Sequence, residues 1–195
     1  GKSTIAKLIA GLMPVWDGQI LIDGVPIEDI PPHLRHASIG WVAQEIFLSR
    51  GTIYENLTLW DSTIPLETVT RAAKDAEIHT LIAGRPGGYD WMVAEGGSNV
   101  SGGEAQRLEI ARTLAAEPTI LVLDEATSAL DPTVEATIDR NIRKRGVTSL
   151  IVAHRLSTIR DADEILVLER GRVVERGTHE ELIRSPGRYR GLVEF

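Results

Sequence analysis

A four-residue apolar run, Ile120 to Leu123, closed by the carboxylates Asp124 and Glu125, constrains this chain more than any other stretch. A run so short and so uniformly apolar suits a buried strand. Upstream of it a Ser101-Gly102-Gly103 turn opens a helix predicted from Gly102 to about Ala116. A helix start preceded by Ser and glycines offers free backbone N–H groups and the positive end of the helix dipole, which together favour an anion. Two acids at the end of a buried strand suit a metal ion and its water. The two stretches point to phosphate chemistry.

The rest of the chain alternates strands and helices. The spacing predicts helices over 2–12, 66–76, 78–83, 134–145 and 156–160, with shorter helical potential over 52–57. Strands are predicted over 19–23, 38–43, 148–153, 164–169 and 172–175, with turns at Asp23-Gly24 and Arg170-Gly171 and a loop at Pro31-Pro32. Thr178, with Glu181 three residues on, is a capping box for a helix reaching Arg184. Such alternation implies an α/β domain with a mostly parallel sheet, whose ligands bind beyond the carboxyl ends of the strands. Gln44, Asp124, Glu125 and His154 all fall at that edge.

The chain has 195 residues, enough for one domain with a real core. A net charge of −7 disfavours a nucleic-acid-binding surface, and the absence of cysteine excludes disulfides and thiolate metal sites. No apolar run approaches the roughly 18–20 residues that span a bilayer. Residue 1 stands in the middle of a motif without an initiating Met, so the chain is expected to be a fragment of a longer protein.

Gly1-Lys2-Ser3-Thr4 matches the end of the phosphate-binding loop pattern G-x-x-x-x-G-K-S/T, in which the Lys reaches the β- and γ-phosphates and the hydroxyl holds Mg²⁺. Thr4 would support the α-phosphate side. Four residues alone equally describe an ordinary helix start with a solvated Lys. Asp124 would hold Mg²⁺ through water and Glu125 would polarise the attacking water as general base, against the plainer possibility of acids capping the next helix. Gln44 can reach the metal or that water through its amide; alone it is a polar loop residue. His154 can hydrogen-bond a γ-phosphate, or simply cap the helix after it. Asp131 reads most simply as the N-cap of a helix that Pro132 begins. Each plain alternative is cheap, but six such coincidences in this order at sheet edges are not.

Taken together these pieces resemble the nucleotide-binding domain of ABC transporters over essentially the whole chain. The matching segments are Gly1–Thr4, Gln44 as the Q-loop, Val100-Ser101-Gly102-Gly103-Glu104 as the signature, Ile120–Glu125 as Walker B, Ser128-Ala129-Leu130-Asp131 as the D-loop, and Ala153-His154-Arg155 with the switch histidine. Residues 45–48 and 51–57 look like the segment that docks on the coupling helices of type I exporters, and residues 93–97 like the exporters' glutamate-containing loop. Residues 56–61 and 85–90 look similar to bacterial exporters of peptides and bacteriocins.

The resemblance implies a P-loop NTPase fold, α/β, with a helical signature subdomain at about 52–116 and without its N-terminal strands, the whole of 1–195 being one nucleotide-binding domain fragment. It implies ATP and Mg²⁺ as cofactors. Gly1, Lys2, Ser3, Thr4, Ser101, Gly102, Gly103 and Asp131 would bind nucleotide; Ser3, Gln44 and Asp124 would hold the metal; Glu125, His154 and Gln44 would be catalytic. The implied partners are a second nucleotide-binding domain, as a homodimer, and a transmembrane domain at the cytoplasmic face of a bacterial inner membrane, with no nucleic acid expected. Two departures stand out. The upstream half of the phosphate loop and its strand are missing, so weak ATP binding and exposed apolar surface are expected of this chain alone. Glu104 stands where the family usually has Gln; a carboxylate beside a γ-phosphate repels it, so its orientation matters. The alternatives are a soluble ABC-type ATPase acting on ribosomes or DNA, and a degenerate, non-hydrolysing partner. The absence of a heptad run between Thr4 and Ser101 argues against the DNA-acting members, and Glu125, His154 and the signature argue against degeneracy.

Overall fold

The computed structural model describes residues 1–127, 129–153 and 155–193. The chain opens with α1 (Lys2–Ile9), a ribbon of β1 (Leu21–Ile22) and β2 (Val25–Pro26), then α2 (Pro32–Ser38) and β3 (Ile39–Val42). A largely helical stretch follows: β4 (Gly51–Thr52), α3 (Ile53–Thr58), α4 (Leu66–Asp75), α5 (His79–Ala83), β5 (Met92–Val93) and α6 (Gly102–Ala115). The remainder is β6 (Ile120–Asp124), α7 (Pro132–Lys144), β7 (Thr148–Val152), α8 (Leu156–Ile159), β8 (Ile165–Glu169), β9 (Arg172–Gly177), α9 (His179–Arg184) and α10 (Arg188–Val193). Among the described residues no helix is long and apolar enough to cross a membrane.

The parallel sheet expected from the alternation is β3-β6-β7, with β6 central, Ile39 opposite Ile120 and Ile120 opposite Thr148. Because side chains alternate along a strand, β6 serves both faces. Leu121 and Leu123 pack with Val42, Leu108, Ile110, Leu114, Ile138 and Ile142, the layer that contains α6 and α7. Val122 turns the other way, onto Ala6 of α1 and Val152. Burying each such Leu or Val contributes about 1.5–3 kcal/mol, so the Ile120–Leu123 run is what lets helices cover both sides. Gly40 brings β3 close to α6: a Cβ there would stand 2.6 Å from Thr113 Cγ2 and 2.9 Å from Pro118 Cγ.

The other three sheets are antiparallel ribbons. Asp23 (φ 50°) and Gly24 (φ 81°) turn β1 into β2, and Arg170 (φ 48°) and Gly171 (φ 79°) turn β8 into β9. Both are the twist-matched tight turns in which consecutive positive φ values favour glycine. Pro31-Pro32, expected as loop, instead starts α2 with Pro32 at its first position. There the fixed φ of proline suits the helix and its missing N–H is no loss. α1 stops at Ile9 rather than Leu12, because Gly11 (φ 70°) leaves the helical region. α10 was not expected. It is held by Tyr189, fully buried against Ile165 and Leu182, in a segment whose neighbours are mostly charged or glycine.

Candidate functional site

The site assembles where three elements end. Gly1 is the N-cap of α1, and the first intrahelical bond runs from the Ile5 N–H to the Gly1 carbonyl at 3.1 Å. The N–H groups of Lys2, Ser3 and Thr4 therefore remain at the positive end of the helix. Ser3 Oγ donates to Asp124 Oδ1 at 3.0 Å, tying this helix start to the last residue of β6, where Asp124 is buried. The backbone then turns sharply. Glu125 has φ 53°, and its N–H donates to the Val152 carbonyl of β7 at 3.0 Å. A non-glycine residue in the left-handed region costs about 1–3 kcal/mol and persists only where neighbouring contacts enforce it. Gln44, two residues beyond β3, donates from Nε2 to Glu125 Oε2 at 3.2 Å. Ser3, Asp124, Gln44 and Glu125, separated by up to 122 positions in sequence, thus form one cluster with Lys2 exposed beside it. His154 and Ser128 lie outside the described residues.

The oxygens of Ser3, Asp124 and Gln44 are hard donors of the kind Mg²⁺ takes. Among the described residues no three His, Cys, Asp or Glu side chains form a metal cage.

A second helix start is built at Ser101. Its hydroxyl accepts from the Glu104 N–H at 3.3 Å and its own N–H donates to Glu104 Oε2 at 2.7 Å, a reciprocal capping box. Glu104 Oε1 is meanwhile held by Arg85 Nη2 at 2.7 Å, and the Arg85 guanidinium stacks 3.9 Å over the Trp91 ring. Both carboxylate oxygens at the departure from the usual Gln are therefore engaged within the chain. Among the described residues nothing outside its own helix and chain neighbours lies within 4 Å of where a Gly102 Cβ would stand. Because α1 packs on one face of the sheet and α6 on the other, the two helix starts of one chain stand on opposite sides of β6. Asp131 Oδ1 accepts from the Thr133 and Val134 N–H groups at 3.0 and 3.1 Å, capping α7.

Partial burial pushes the Glu104 pKa up, but hydrogen bonds from the Ser101 backbone and hydroxyl and the charge of Arg85 outweigh it and hold the carboxyl below its ordinary value. A folded-state pKa depressed in this way contributes stability above the unfolded value, about 4.3, and loses it as pH falls through the folded value. Glu104→Gln is thus expected to be less stable than the wild type at pH 7 by about 1 kcal/mol. The difference should shrink below pH 4.3 or so, as urea unfolding at pH 7 and pH 3.5 or so would show. A gap that stays constant with pH would refute the ion-pair account.

Three polar residues, two buried and one half-buried, are not singled out from sequence. Gln106 Oε1 accepts the Ala129 N–H at 2.9 Å, joining α6 to the 129–131 segment. Arg112 of the same helix donates to the carbonyls of Asn56 and Phe47 at 2.8 and 3.1 Å, joining it to α3 and to the segment after Gln44. Glu135 is buried at the start of α7. Their shared signal is a polar residue on an otherwise apolar helical face, as in Glu135, Ile138 and Ile142.

A family profile described as "ABC transporter" matches residues 1–128. The mycobactin import ATP-binding/permease protein IrtA of Mycolicibacterium thermoresistibile is 45% identical over 194 residues, covering 98% of this chain and 21% of that protein. The ABC transporter ATP-binding protein YfiC of Bacillus subtilis is 41% identical over 196 residues, covering 100% of this chain and 32% of its own length. A solved bacterial Atm1-family ABC exporter with ATP bound superposes with a TM-score of 0.93 at 43% identity, covering all of this chain and 34% of that one. The chain therefore spans between a fifth and about a third of the length of these relatives.

Proposed function

The chain belongs to the ABC transporter family, as its ATP-binding ATPase domain, and from that premise we propose that it is the motor of an exporter, converting MgATP binding and hydrolysis into movement of a transmembrane partner. In this reading residues 1–195 are one nucleotide-binding domain whose helical signature subdomain is about 52–116. The observation that carries it is the convergence of Ser3, Asp124, Gln44 and Glu125 at the start of α1. The N–H groups of α1 and Lys2 would hold the phosphates. Ser3, Asp124 and Gln44 would hold Mg²⁺, which when bound supplies charge neutralisation on the β- and γ-phosphate oxygens. Glu125 takes a proton from the attacking water and Gln44 orients it, with His154 on the γ-phosphate.

Two copies would meet head to tail, with Ser101, Gly102 and Gly103 of one closing over the nucleotide on Lys2 of the other. Two features support this. The two anion-favouring helix starts of one chain stand on opposite sides of the sheet. Among the described residues the space in front of Gly102 is open, so glycine there suits close approach by something outside the chain. Asp131 would join the nucleotide contacts across that interface. Loss of the γ-phosphate would open the pair, and residues 45–60 would pass the motion to a membrane domain at the cytoplasmic face. The Arg112 bonds to Phe47 and Asn56 give that segment a direct tie to the signature helix. The cargo proposal is a peptide, on the likeness of residues 56–61 and 85–90 to peptide exporters.

The test is MgATP hydrolysis by the full-length protein reconstituted in membrane. Turnover that depends on Mg²⁺ and rises with a cationic or hydrophobic peptide is the expected result. No turnover with nucleotide bound would overturn the motor assignment, and turnover indifferent to peptides would overturn the cargo alone.

A further inference from the structure

Glu135 shares the inward face of α7 with Ile138 and Ile142, and only 4% of it is exposed. A carboxylate in such a place is costly unless paired and hydrogen-bonded. Its partners come from two separate segments. Oε1 accepts from the Thr127 hydroxyl at 2.7 Å and from the Thr158 hydroxyl. Oε2 accepts from Arg155 Nη1 at 3.3 Å, and the same nitrogen donates to the Leu130 carbonyl at 3.1 Å. One buried carboxylate therefore ties the turn just past Glu125 to the segment 155–158, whose Arg155 also holds the Leu130 carbonyl.

Close packing alone does not set this turn: Ala126 and Leu130 are buried in the core, yet space remains beside the cluster. A cavity of about 120 Å³ opens beside the cluster, lined by Glu125, Thr127, Ile138, Ile151 and Arg155. Where dispersion contacts behind a turn are incomplete, directional hydrogen bonds set its position. The turn in question carries Glu125 in a left-handed conformation that needs outside support.

We propose that Glu135 is a positioning residue for ATP hydrolysis, holding the Glu125 turn in register with Leu130 and the 155–158 segment through Thr127 and Arg155. The proposal rests on the motor reading above and adds a residue to it. Glu135 lies on the α7 side of the sheet, away from α1 where the phosphates would be held, so its loss should slow turnover without weakening nucleotide binding.

Glu135→Gln preserves the volume but exchanges one acceptor oxygen for an amide nitrogen that accepts from nothing. In the full-length protein, kcat for MgATP hydrolysis should fall about tenfold or more, because small misplacements of a reacting group are expensive, while KM stays within about twofold. Thr127→Val removes one donor from the same cluster and should lower kcat in the same direction with an unchanged melting temperature. The double variant should lose less than the two single effects combined, since both act on one cluster. Wild type and Glu125→Gln run alongside. A wild type that does not hydrolyse ATP overturns the motor reading. A wild type silenced by Glu125→Gln but matched in kcat by Glu135→Gln and Thr127→Val overturns the positioning role alone, as does a rise in KM at constant kcat. If Glu135→Gln does not fold, Thr127→Val decides: lowered kcat at unchanged KM and melting temperature upholds the proposal, and wild-type kcat overturns it.

Discussion

Replacing Glu125 with Gln is expected to lower ATP turnover by about 10²- to 10⁴-fold, the usual contribution of a general base, while leaving MgATP affinity within about threefold of wild type. The substitution is nearly isosteric. Gln44 donates to Glu125 Oε2, and a Gln carbonyl oxygen can accept that bond as the carboxylate does. The backbone bond from the residue 125 N–H to Val152 is untouched, so the turn keeps its support. What is lost is an atom able to take a proton from water. If the sandwich reading is right, the uncleaved nucleotide should also hold two copies together, and an ATP-dependent dimer should accumulate on size exclusion. Phosphate release in single turnover, beside equilibrium nucleotide binding, separates chemistry from affinity. A variant that releases phosphate at the wild-type rate would remove Glu125 from the role of base and leave it a structural acid at a strand end.

Much of this site was legible because its residues sit at element ends. Strand ends and helix starts announce themselves locally: the Ile120–Leu123 run closes in Asp124, the Ser101-Gly102-Gly103 turn precedes a helical pattern, and Thr178 with Glu181 is a capping box that the structure contains. The parallel direction of β3, β6 and β7 follows from apolar strands separated by helices, but their order, with β6 central, does not. What was not legible depends on contacts between distant segments. The engagement of Glu104 by Arg85 rests on a loop 19 residues upstream, and no periodicity connects the two. Arg112 reaches Asn56 across 56 positions. α2 was missed for a different reason: a Pro-Pro pair punctuates most chains, and only the actual first-turn geometry shows proline as a helix start rather than a break.

Lys2→Ala is expected to weaken MgATP binding by about 100-fold, the loss of roughly 2–3 kcal/mol when one partner of a close charge pair is truncated, with almost no cost to folding. Lys2 is exposed on the first turn of α1, and the helix anchors itself through Ala6, not through this side chain. Alanine is also the better helix former. The two effects can therefore be separated: thermal unfolding without nucleotide should be unchanged, and the stabilisation that nucleotide adds should be lost in the variant. Lys2→Arg should recover little, because a planar fork does not replace a compact ammonium reaching between two phosphates. Salt gives the internal control. Wild-type affinity should fall as ionic strength rises, and the Ala variant should respond less, since the charge that screening acts on is gone. Equal affinity in wild type and Lys2→Ala would mean that the backbone N–H groups and dipole of α1 hold the phosphates unaided, and that the ammonium at position 2 is a solvated surface charge.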